Sequence, residues 1–192
     1  TLDSGDSISI PLGAANELSI RWQPRRAEAR EGQLVSADQA LLIDVLDAGV
    51  HFHSKFHYRI QQGALRVLQL RVPPDVAVRT VQGAEVADWS IEADPAVGPN
   101  PATQRLVVSL KTELTTGTDV DIHAYRRDRH ATGTLDVHAL EPLGVVRETG
   151  RVAIGCASPF RVRVAETDHV EQIDRTEVDF QGRLGLRPDP AA

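Results

Sequence analysis

Residues 50–60 decide the fold, and they read Val50-His51-Phe52-His53-Ser54-Lys55-Phe56-His57-Tyr58-Arg59-Ile60. Apolar side chains and one serine occupy the even positions, and histidine, lysine or arginine occupies every odd one. Because successive side chains of a strand point to opposite faces, this period of two predicts a half-buried β-strand. One face is expected to line a core and the other to meet solvent.

The sequence on either side continues this pattern, with turn residues between the strands. Asp47-Ala48-Gly49 precedes the stretch and predicts a three-residue hairpin turn in which Gly49 has a positive φ. Gln61-Gln62-Gly63 follows the stretch and predicts a second turn. Pro73-Pro74 ends the next strand, because proline cannot donate a hydrogen bond to a sheet ladder.

Short strand patterns recur along the chain. They are predicted at Ser7–Leu12, Glu17–Gln23, Ala40–Leu46, Val50–Ile60, Ala64–Val72, Val76–Val81, Glu85–Ile91, Gln104–Leu110, Asp119–Tyr125, Leu135–Leu140, Val145–Arg147, Arg151–Cys156, Phe160–Ala165 and Val170–Ile173. No segment longer than ten residues has a convincing helical period. Many short strands separated by Gly and Pro predict an all-β fold. Because strand lengths vary and one face is often polar, an antiparallel β-sandwich is favoured over a barrel.

The predicted domain organisation has three parts. Residues 1–126 form the main β-sandwich, residues 127–180 contribute C-terminal strands that pack on it or extend it, and residues 181–192 form a loose tail. A smaller C-terminal β-subdomain, divided from the sandwich near Arg126–Gly133, is an alternative that the sequence leaves open. The chain of 192 residues contains no methionine, not even at position 1, so we expect a segment of a longer polypeptide.

Composition limits the classes of function. The formal net charge of −6 argues against nucleic-acid binding, which requires a concentrated basic face. There is no run of about 18 apolar residues, so no membrane span is expected within the segment. Cys156 is the single cysteine, which leaves no intramolecular disulfide, and its small apolar neighbours predict a buried side chain. The oligomeric state is left open.

Two strands carry residues of the types that bind metal ions. The candidate ligands are His51, His53, His57, Asp119, Asp121 and His123. His51 and His53 would lie about 6–7 Å apart along one strand, a distance at which two imidazoles can hold one zinc ion. If the two strands are neighbours, a His/Asp cluster results. Lys55 and Arg59 share the histidine face and would repel a cation, so a solvated polar face is the favoured interpretation.

Motifs of the common catalytic classes are missing from the sequence. It has no Gly-x-Ser-x-Gly elbow, no phosphate-binding Gly-rich loop and no His-Glu-x-x-His helix motif. We therefore predict that the segment is not an enzyme. No cofactor is predicted either, apart from the zinc ion that the metal hypothesis requires.

Large aromatic side chains with a polar tip are few. They are Trp22, Trp89, Tyr58 and Tyr125. Carbohydrate-binding modules usually expose several rings as stacking platforms, whereas Tyr58 is expected in the core and Trp89 against a strand end. A carbohydrate-binding module is therefore an alternative, not the leading hypothesis.

Several runs of turn and apolar residues resemble a known group of proteins. The runs are Tyr58-Arg59-Ile60-Gln61-Gln62-Gly63-Ala64-Leu65-Arg66-Val67-Leu68-Gln69-Leu70-Arg71-Val72-Pro73, Val78-Arg79-Thr80-Val81-Gln82-Gly83, Val86-Ala87-Asp88-Trp89, Glu141-Pro142-Leu143-Gly144-Val145 and Thr149-Gly150-Arg151-Val152-Ala153-Ile154. Over residues 34–178 their order resembles the β-rich modules of large, uncharacterised bacterial cell-envelope proteins. The resemblance implies an extracytoplasmic location, in the periplasm or on the cell surface, and a parent protein with further domains. It supplies no catalytic residue.

These observations leave three hypotheses for function. The leading one is a non-catalytic β-sandwich module of a larger envelope protein, acting as scaffold or protein-interaction surface. Its partners would be other domains of the parent protein or other envelope proteins, with an edge strand as the contact surface through strand addition. The alternatives are a carbohydrate-binding module and a metal-dependent hydrolase or metal-binding domain that uses the His-rich strand face.

Overall fold

The structure, a computed structural model, describes residues 17–22, 32–46, 48–93, 104–126, 140–156 and 170–172. Within these residues the chain forms eleven strands and no helix. The strands are β1 (Glu17–Trp22), β2 (Leu34–Leu46), β3 (Gly49–Gln62), β4 (Leu65–Val72), β5 (Ala77–Gln82), β6 (Val86–Ala93), β7 (Gln104–Leu114), β8 (Gly117–Arg126), β9 (Glu141–Leu143), β10 (Arg147–Cys156) and β11 (Val170–Gln172). The all-β prediction is confirmed.

The strands form two sheets. The seven-stranded sheet has the order β11-β1-β10-β2-β3-β8-β5, and the four-stranded sheet has the order β6-β7-β4-β9. Neighbouring strands run antiparallel with one exception among the described strands, the parallel pair β10 and β2. Parallel neighbours need a long crossover connection, and here the chain between them contains β3 to β9.

The inner faces of the two sheets meet in one hydrophobic core. Phe56 and Ile122 from the seven-stranded sheet have no exposed surface, and neither do Leu70 and Leu106 from the four-stranded sheet. Side chains from both sheets belong to the same buried cluster. Two sheets packed face to face over a shared core make a β-sandwich, and the predicted fold class is confirmed.

The buried and outward faces of β3 are those predicted from its sequence. The even positions of β3 from Val50 to Ile60 are buried, and the odd positions point outward. Ser54, the one polar residue on the buried face, accepts a hydrogen bond at 3.3 Å on its Oγ from Nε2 of buried Gln39 on β2. This bond explains how a hydroxyl can lie in the core, because a buried polar group without a partner is costly.

The hairpin between β2 and β3 is tighter than predicted. Leu46 pairs directly with Gly49, so the loop consists of residues 47 and 48, not three residues. Gly49 has the predicted positive φ, 144°. A Cβ atom there would lie 2.5 Å from the backbone oxygen of Arg126, so glycine is required by the close approach of β8 as well as by the turn.

The C-terminal strands differ from the prediction in one respect. Val145–Arg147 is not a separate strand: β9 ends at Leu143, and a single long strand, β10, includes both Arg147 and the predicted strand Arg151–Cys156. Gly150 lies inside β10 and pairs with Trp22 of β1 and Gln39 of β2. Glycine is tolerated in a strand where another backbone approaches closely.

Some predictions lie outside the described residues. They are the strands Ser7–Leu12 and Phe160–Ala165, nearly all of Leu135–Leu140, and the loose tail at 181–192. The division of the chain at residue 126 stays a prediction as well. Among the described residues, no helix is long and apolar enough to cross a membrane.

Candidate functional site

The two strands that carry the candidate metal ligands are neighbours. β3 and β8 pair antiparallel, with His53 opposite His123, Lys55 opposite Asp121 and His57 opposite Asp119. All six candidate residues therefore lie on the outer face of the seven-stranded sheet. The sequence alternation assigned them to outward positions, but only the pairing of strands that are some 60 residues apart brings them together.

At the middle of this face His53 and His123 are in contact. Their ring centroids lie 4.5 Å apart, with an angle of 78° between the ring planes. Asp44 of β2 lies on the other side of His53, with its Oδ2 atom 3.8 Å from His53 Nε2. The sequence analysis missed Asp44. Its signal was the hairpin, because pairing Leu46 with Gly49 places Asp44 opposite His51 on the same face.

Burial changes the protonation of this cluster. It lowers the pKa of His53 to about 4, and the nearby charges of His123 and His51 act in the same direction. Burial also raises the pKa of Asp44 above its ordinary value, while His51 opposes that rise. His53 is therefore a neutral imidazole at pH 7 with a lone pair available on one nitrogen.

The other two histidines of the strand have partners of their own. His57 Nδ1 lies 2.6 Å from Asp119 Oδ1 in an exposed pair. The His51 ring packs edge-on against Tyr125 at 5.2 Å between centroids, and the Tyr125 hydroxyl donates a hydrogen bond of 2.7 Å to the backbone oxygen of Ala48. The histidine-rich face is therefore three separate contacts and not one cluster around a common centre.

The arrangement bears on the metal hypothesis. In the part of the chain that the structure describes, no group of three or more His, Cys, Asp or Glu residues is placed to hold a metal ion. Lys55, expected to repel a cation, lies opposite Asp121 in the ladder. The site of six residues stays a prediction, and a smaller ligand set is the one that the geometry favours.

The outer face of the four-stranded sheet carries paired charges. Glu92 on β6 accepts a hydrogen bond of 3.2 Å from Arg105 on β7. Arg71 on β4 lies opposite Arg105 and donates to the carboxylate of Glu141 on β9. One row of side chains thus crosses the sheet in the order acid, base, base, acid, and each outer acid neutralises the base beside it.

β6 is one of the two edge strands of this sheet, and β9 is the other. β6 pairs with β7, and no other strand of the described residues pairs with it. Trp89 faces inward and packs against the core while half-buried, and Ile91 is 38% exposed at the rim. The backbone N–H of Trp89 donates a hydrogen bond of 2.8 Å to Oδ1 of Asp88. The sequence did not single out β6 among the edges.

The remaining candidate sites offer little to a ligand. Tyr58 is 2% exposed, as predicted for a core residue, and Tyr125 is half-buried. A cavity at one end of the sandwich, lined by Tyr58, Leu68 and Val145 among others, has a volume of about 10 Å³, the room of about one water molecule. The carbohydrate-binding alternative stays a prediction, since the side chain of Trp22 lies outside the described part.

Cys156, expected to be buried, is half-buried at the end of β10.

Comparisons with known proteins add a likeness in architecture. The sequence matches no protein-family model and no curated protein. A solved structure that is similar is a cohesin chain of a type I cohesin–dockerin complex from Clostridium thermocellum, with a TM-score of 0.36 and 10% sequence identity. The match covers 68% of this chain and 99% of that chain. A likeness of this degree is a weak resemblance between β-sandwiches and says nothing about a shared function.

Proposed function

We propose that this chain is a non-catalytic β-sandwich module of a larger bacterial envelope protein, and that it binds a partner protein by strand addition to β6. The envelope location rests on the resemblance of residues 34–178 to modules of such proteins. The binding mode rests on one observation, the outer edge of β6, with which no described strand pairs. An exposed edge presents a row of backbone donors and acceptors that an extended segment can complete.

β6 is the best of the four edges among the described strands. It has eight residues, whereas β9 and β11 have three each. β5 has six residues, and its pairing with β8 is interrupted by an irregularity between Val78 and Thr80. After its own irregularity between Val86 and Asp88, β6 pairs with β7 without interruption to Ala93. A partner strand therefore finds its longest regular template here.

The hydrogen bond of Trp89 indicates which backbone groups face the edge. Its N–H is bonded to the adjacent Asp88 carboxylate, so we infer that it points away from β7. In an antiparallel strand the backbone groups of alternate residues point to the same side. The N–H and C=O groups of Ile91 and Ala93 then face the free edge with those of Trp89, while those of Ser90 and Glu92 face β7.

The side chains of β6 suggest the kind of segment that fits. β6 contains neither Pro nor Lys, the residues that natural edge strands use to discourage pairing. Asp88 and Glu92 point to the outer face, and Trp89 and Ile91 point toward the core. A partner strand that alternates basic and apolar residues would neutralise the two acids and cover Ile91. Before a partner strand can pair along all of β6, the Trp89 N–H must give up its hydrogen bond to the Asp88 carboxylate. Losing that bond offsets part of the binding free energy, which favours a reversible contact.

Amide hydrogen exchange, followed by NMR, tests the free edge directly. We expect the amides of Ile91 and Ala93 to exchange at least about tenfold faster than those of Ser90 and Glu92, because unpaired N–H groups are not protected. Equal protection of all four amides would mean that another part of the chain covers β6, and would exclude strand addition there.

A peptide probe then tests binding at that edge. A synthetic peptide that alternates Val and Lys should slow exchange at Ile91 and Ala93, and a peptide that alternates Val and Glu should not. The variant Ile91→Lys should lose the effect, because a charge at the rim opposes pairing. Leu46→Lys is the matched control, since Leu46 is 39% exposed and lies on the other sheet. Slowing that survives in Ile91→Lys, or no slowing in the parent protein, would contradict the proposal.

A further inference from the structure

We propose that His53 and His123 form a cross-strand binding site for a divalent transition-metal ion, with zinc as the natural occupant. The site lies on the outer face of the seven-stranded sheet, so it is independent of strand addition to β6 on the other sheet. It also differs from the pair that spacing along one strand suggested, His51 and His53. The ligands come from two strands and face each other across one pair of the ladder.

The two rings lie close enough for a shared ion to be reached by side-chain rotation. A tetrahedral zinc with Zn–N bonds of about 2.0–2.1 Å needs its two imidazole nitrogens about 3.3–3.4 Å apart. In the structure the two rings are in edge-on contact, with centroids 4.5 Å apart and 78° between the ring planes, so the side chains must rotate apart to admit an ion between their nitrogens. Because β3 and β8 are both central strands of the sheet, their backbones hold the two Cβ atoms in a fixed relation.

His53 has a nitrogen without a partner. Its Nδ1 atom is buried and has no hydrogen-bond partner among the described residues. A buried polar atom of this kind is unusual in a stable fold and calls for an explanation. His57 on the same strand shows the opposite situation, because its Nδ1 is bonded to Asp119 at 2.6 Å. The free nitrogen is thus found at the position that also has a second imidazole in contact.

The surrounding charges also favour a cation at this point. The Asp44 carboxylate lies 3.8 Å from His53 Nε2, and Asp121 lies on β8 two residues before His123. Lys55 pairs in register with Asp121, and the Arg79 guanidinium lies over the Tyr125 ring at 5.3 Å. Two carboxylates therefore lie on the same face as the two rings, and one of them, Asp121, is the cross-strand neighbour of Lys55.

The number of ligands sets the character of the site. Two protein nitrogens leave two of the four tetrahedral positions of zinc for water or for an exogenous ligand. Structural zinc sites use four protein ligands, so this site should bind more weakly and exchange its ion with solvent. An open, exchangeable site is consistent with the finding that no three ligands converge among the described residues.

The test is a titration of the untagged, chelator-treated protein with zinc chloride, followed by isothermal calorimetry. The expected stoichiometry is one ion per chain. Cobalt chloride serves as a second probe, because tetrahedral nitrogen ligation gives bound Co²⁺ a visible absorption band that hydrated Co²⁺ lacks. Each of His53→Gln and His123→Gln should weaken zinc binding by at least about tenfold, a loss of about 1.4 kcal/mol.

Two control variants locate the site. His57→Gln and His51→Gln each remove an imidazole from the same strand face and should leave the affinity within about twofold. No binding in the parent protein, unchanged binding in His53→Gln or His123→Gln, or a loss in either control would overturn the assignment. Circular dichroism of every variant checks that the sheet is intact, so that a loss of binding is not a loss of fold.

Discussion

β3 and β6 carry similar alternating patterns in the sequence, yet they have different surroundings in the fold. β3 lies between β2 and β8 and is paired along most of its length on both sides. β6 has β7 on one side and no described strand on the other. The same pattern of polar and apolar residues thus produces a crowded central face in one place and an open edge in the other.

The difference shows that neighbours, and not alternation, decide what an outward polar residue does. Outward His53 lies between Asp44 of β2 and His123 of β8, and burial lowers its pKa. Outward Glu92 of β6 has one cross-strand partner, Arg105, and is otherwise exposed. An outward polar residue on a central strand can therefore be partly buried between neighbours on both sides. An outward residue on an edge strand has such a neighbour on one side only.

Proline substitution tests this contrast with the largest expected effect. Lys55 on β3 pairs with Ala40 on one side and Asp121 on the other, so its N–H meets a neighbour whichever way it points. Because proline cannot donate this hydrogen bond, Lys55→Pro should lower the free energy of unfolding by at least about 4 kcal/mol, which is unusually large for one substitution. Ile91→Pro on β6 should cost about 1 kcal/mol or less if its N–H faces the free edge.

Urea unfolding followed by circular dichroism measures both variants. If Ile91→Pro unfolds the protein as readily as Lys55→Pro, the Ile91 N–H is paired, and the distinction between the two strands disappears. A low cost for Lys55→Pro would contradict the central position of β3.

The pH dependence of stability tests the crowded face. The folded pKa of His53, about 4, lies below the ordinary value of 6.5. Between these values the unfolded chain binds a proton that the folded protein does not, so the free energy of unfolding should fall as the pH drops from about 6.5 toward 4. After allowance for solvent screening, we expect a loss on the order of 1 kcal/mol.

The comparison of the parent protein with His53→Gln, in the presence of a chelator, isolates this contribution. The ionisable groups that face His53 are His51 and Lys55 on β3, Asp44 on β2, and His123 and Asp121 on β8. The raised pKa of Asp44 acts in the opposite direction at the acid end, so the range from pH 7 to 5 is the most informative. An equally steep pH dependence in His53→Gln would show that another group is responsible.

The paired charges of the four-stranded sheet should give the smallest effect. Glu92→Gln removes one half of an exposed ion pair with Arg105, and such pairs contribute about 0.2–1 kcal/mol. We expect a loss at the low end of this range, and the loss should shrink further in high salt because exposed charges are screened. Urea unfolding at two salt concentrations measures it. A loss that is large and independent of salt would mean that Glu92 is held by more than its charge.

The sequence was sufficient for the local part of this fold. The period of two in Val50–Ile60 predicted β3 and its faces, and Asp47-Ala48-Gly49 predicted a hairpin with a positive φ at Gly49 but a loop one residue too long. These properties depend on residues within one strand and its hairpin. The sequence pattern did not predict where β-bulges interrupt a strand. On β4 a strict period of two would put Leu65 and Val67 on one face, but an irregularity between them turns Leu65 into the core and leaves Val67 facing outward.

Pairing between distant strands was the other limit. The histidine and aspartate residues of β3 and β8 were recognised, but their proximity was conditional on the two strands being neighbours. The register that places His53 opposite His123 is set by packing of the whole sheet, not by the sequence near either residue. Asp44 was missed for a local reason, because its place opposite His51 follows from the pairing of Leu46 with Gly49, whereas a three-residue turn was predicted.

The parallel pair β10 and β2 has a consequence for the order in which the molecule can be built. β10 is inserted between β1 and β2, and β1 has no described partner apart from β10 and β11. During synthesis from the N-terminus, residues 17–22 leave the ribosome early but cannot join the sheet until residues 147–156 have been made. Contacts over so many residues form slowly. For much of translation the nascent chain therefore carries β1 without its sheet partners and an open side on β2, where a chaperone would find its natural binding surface.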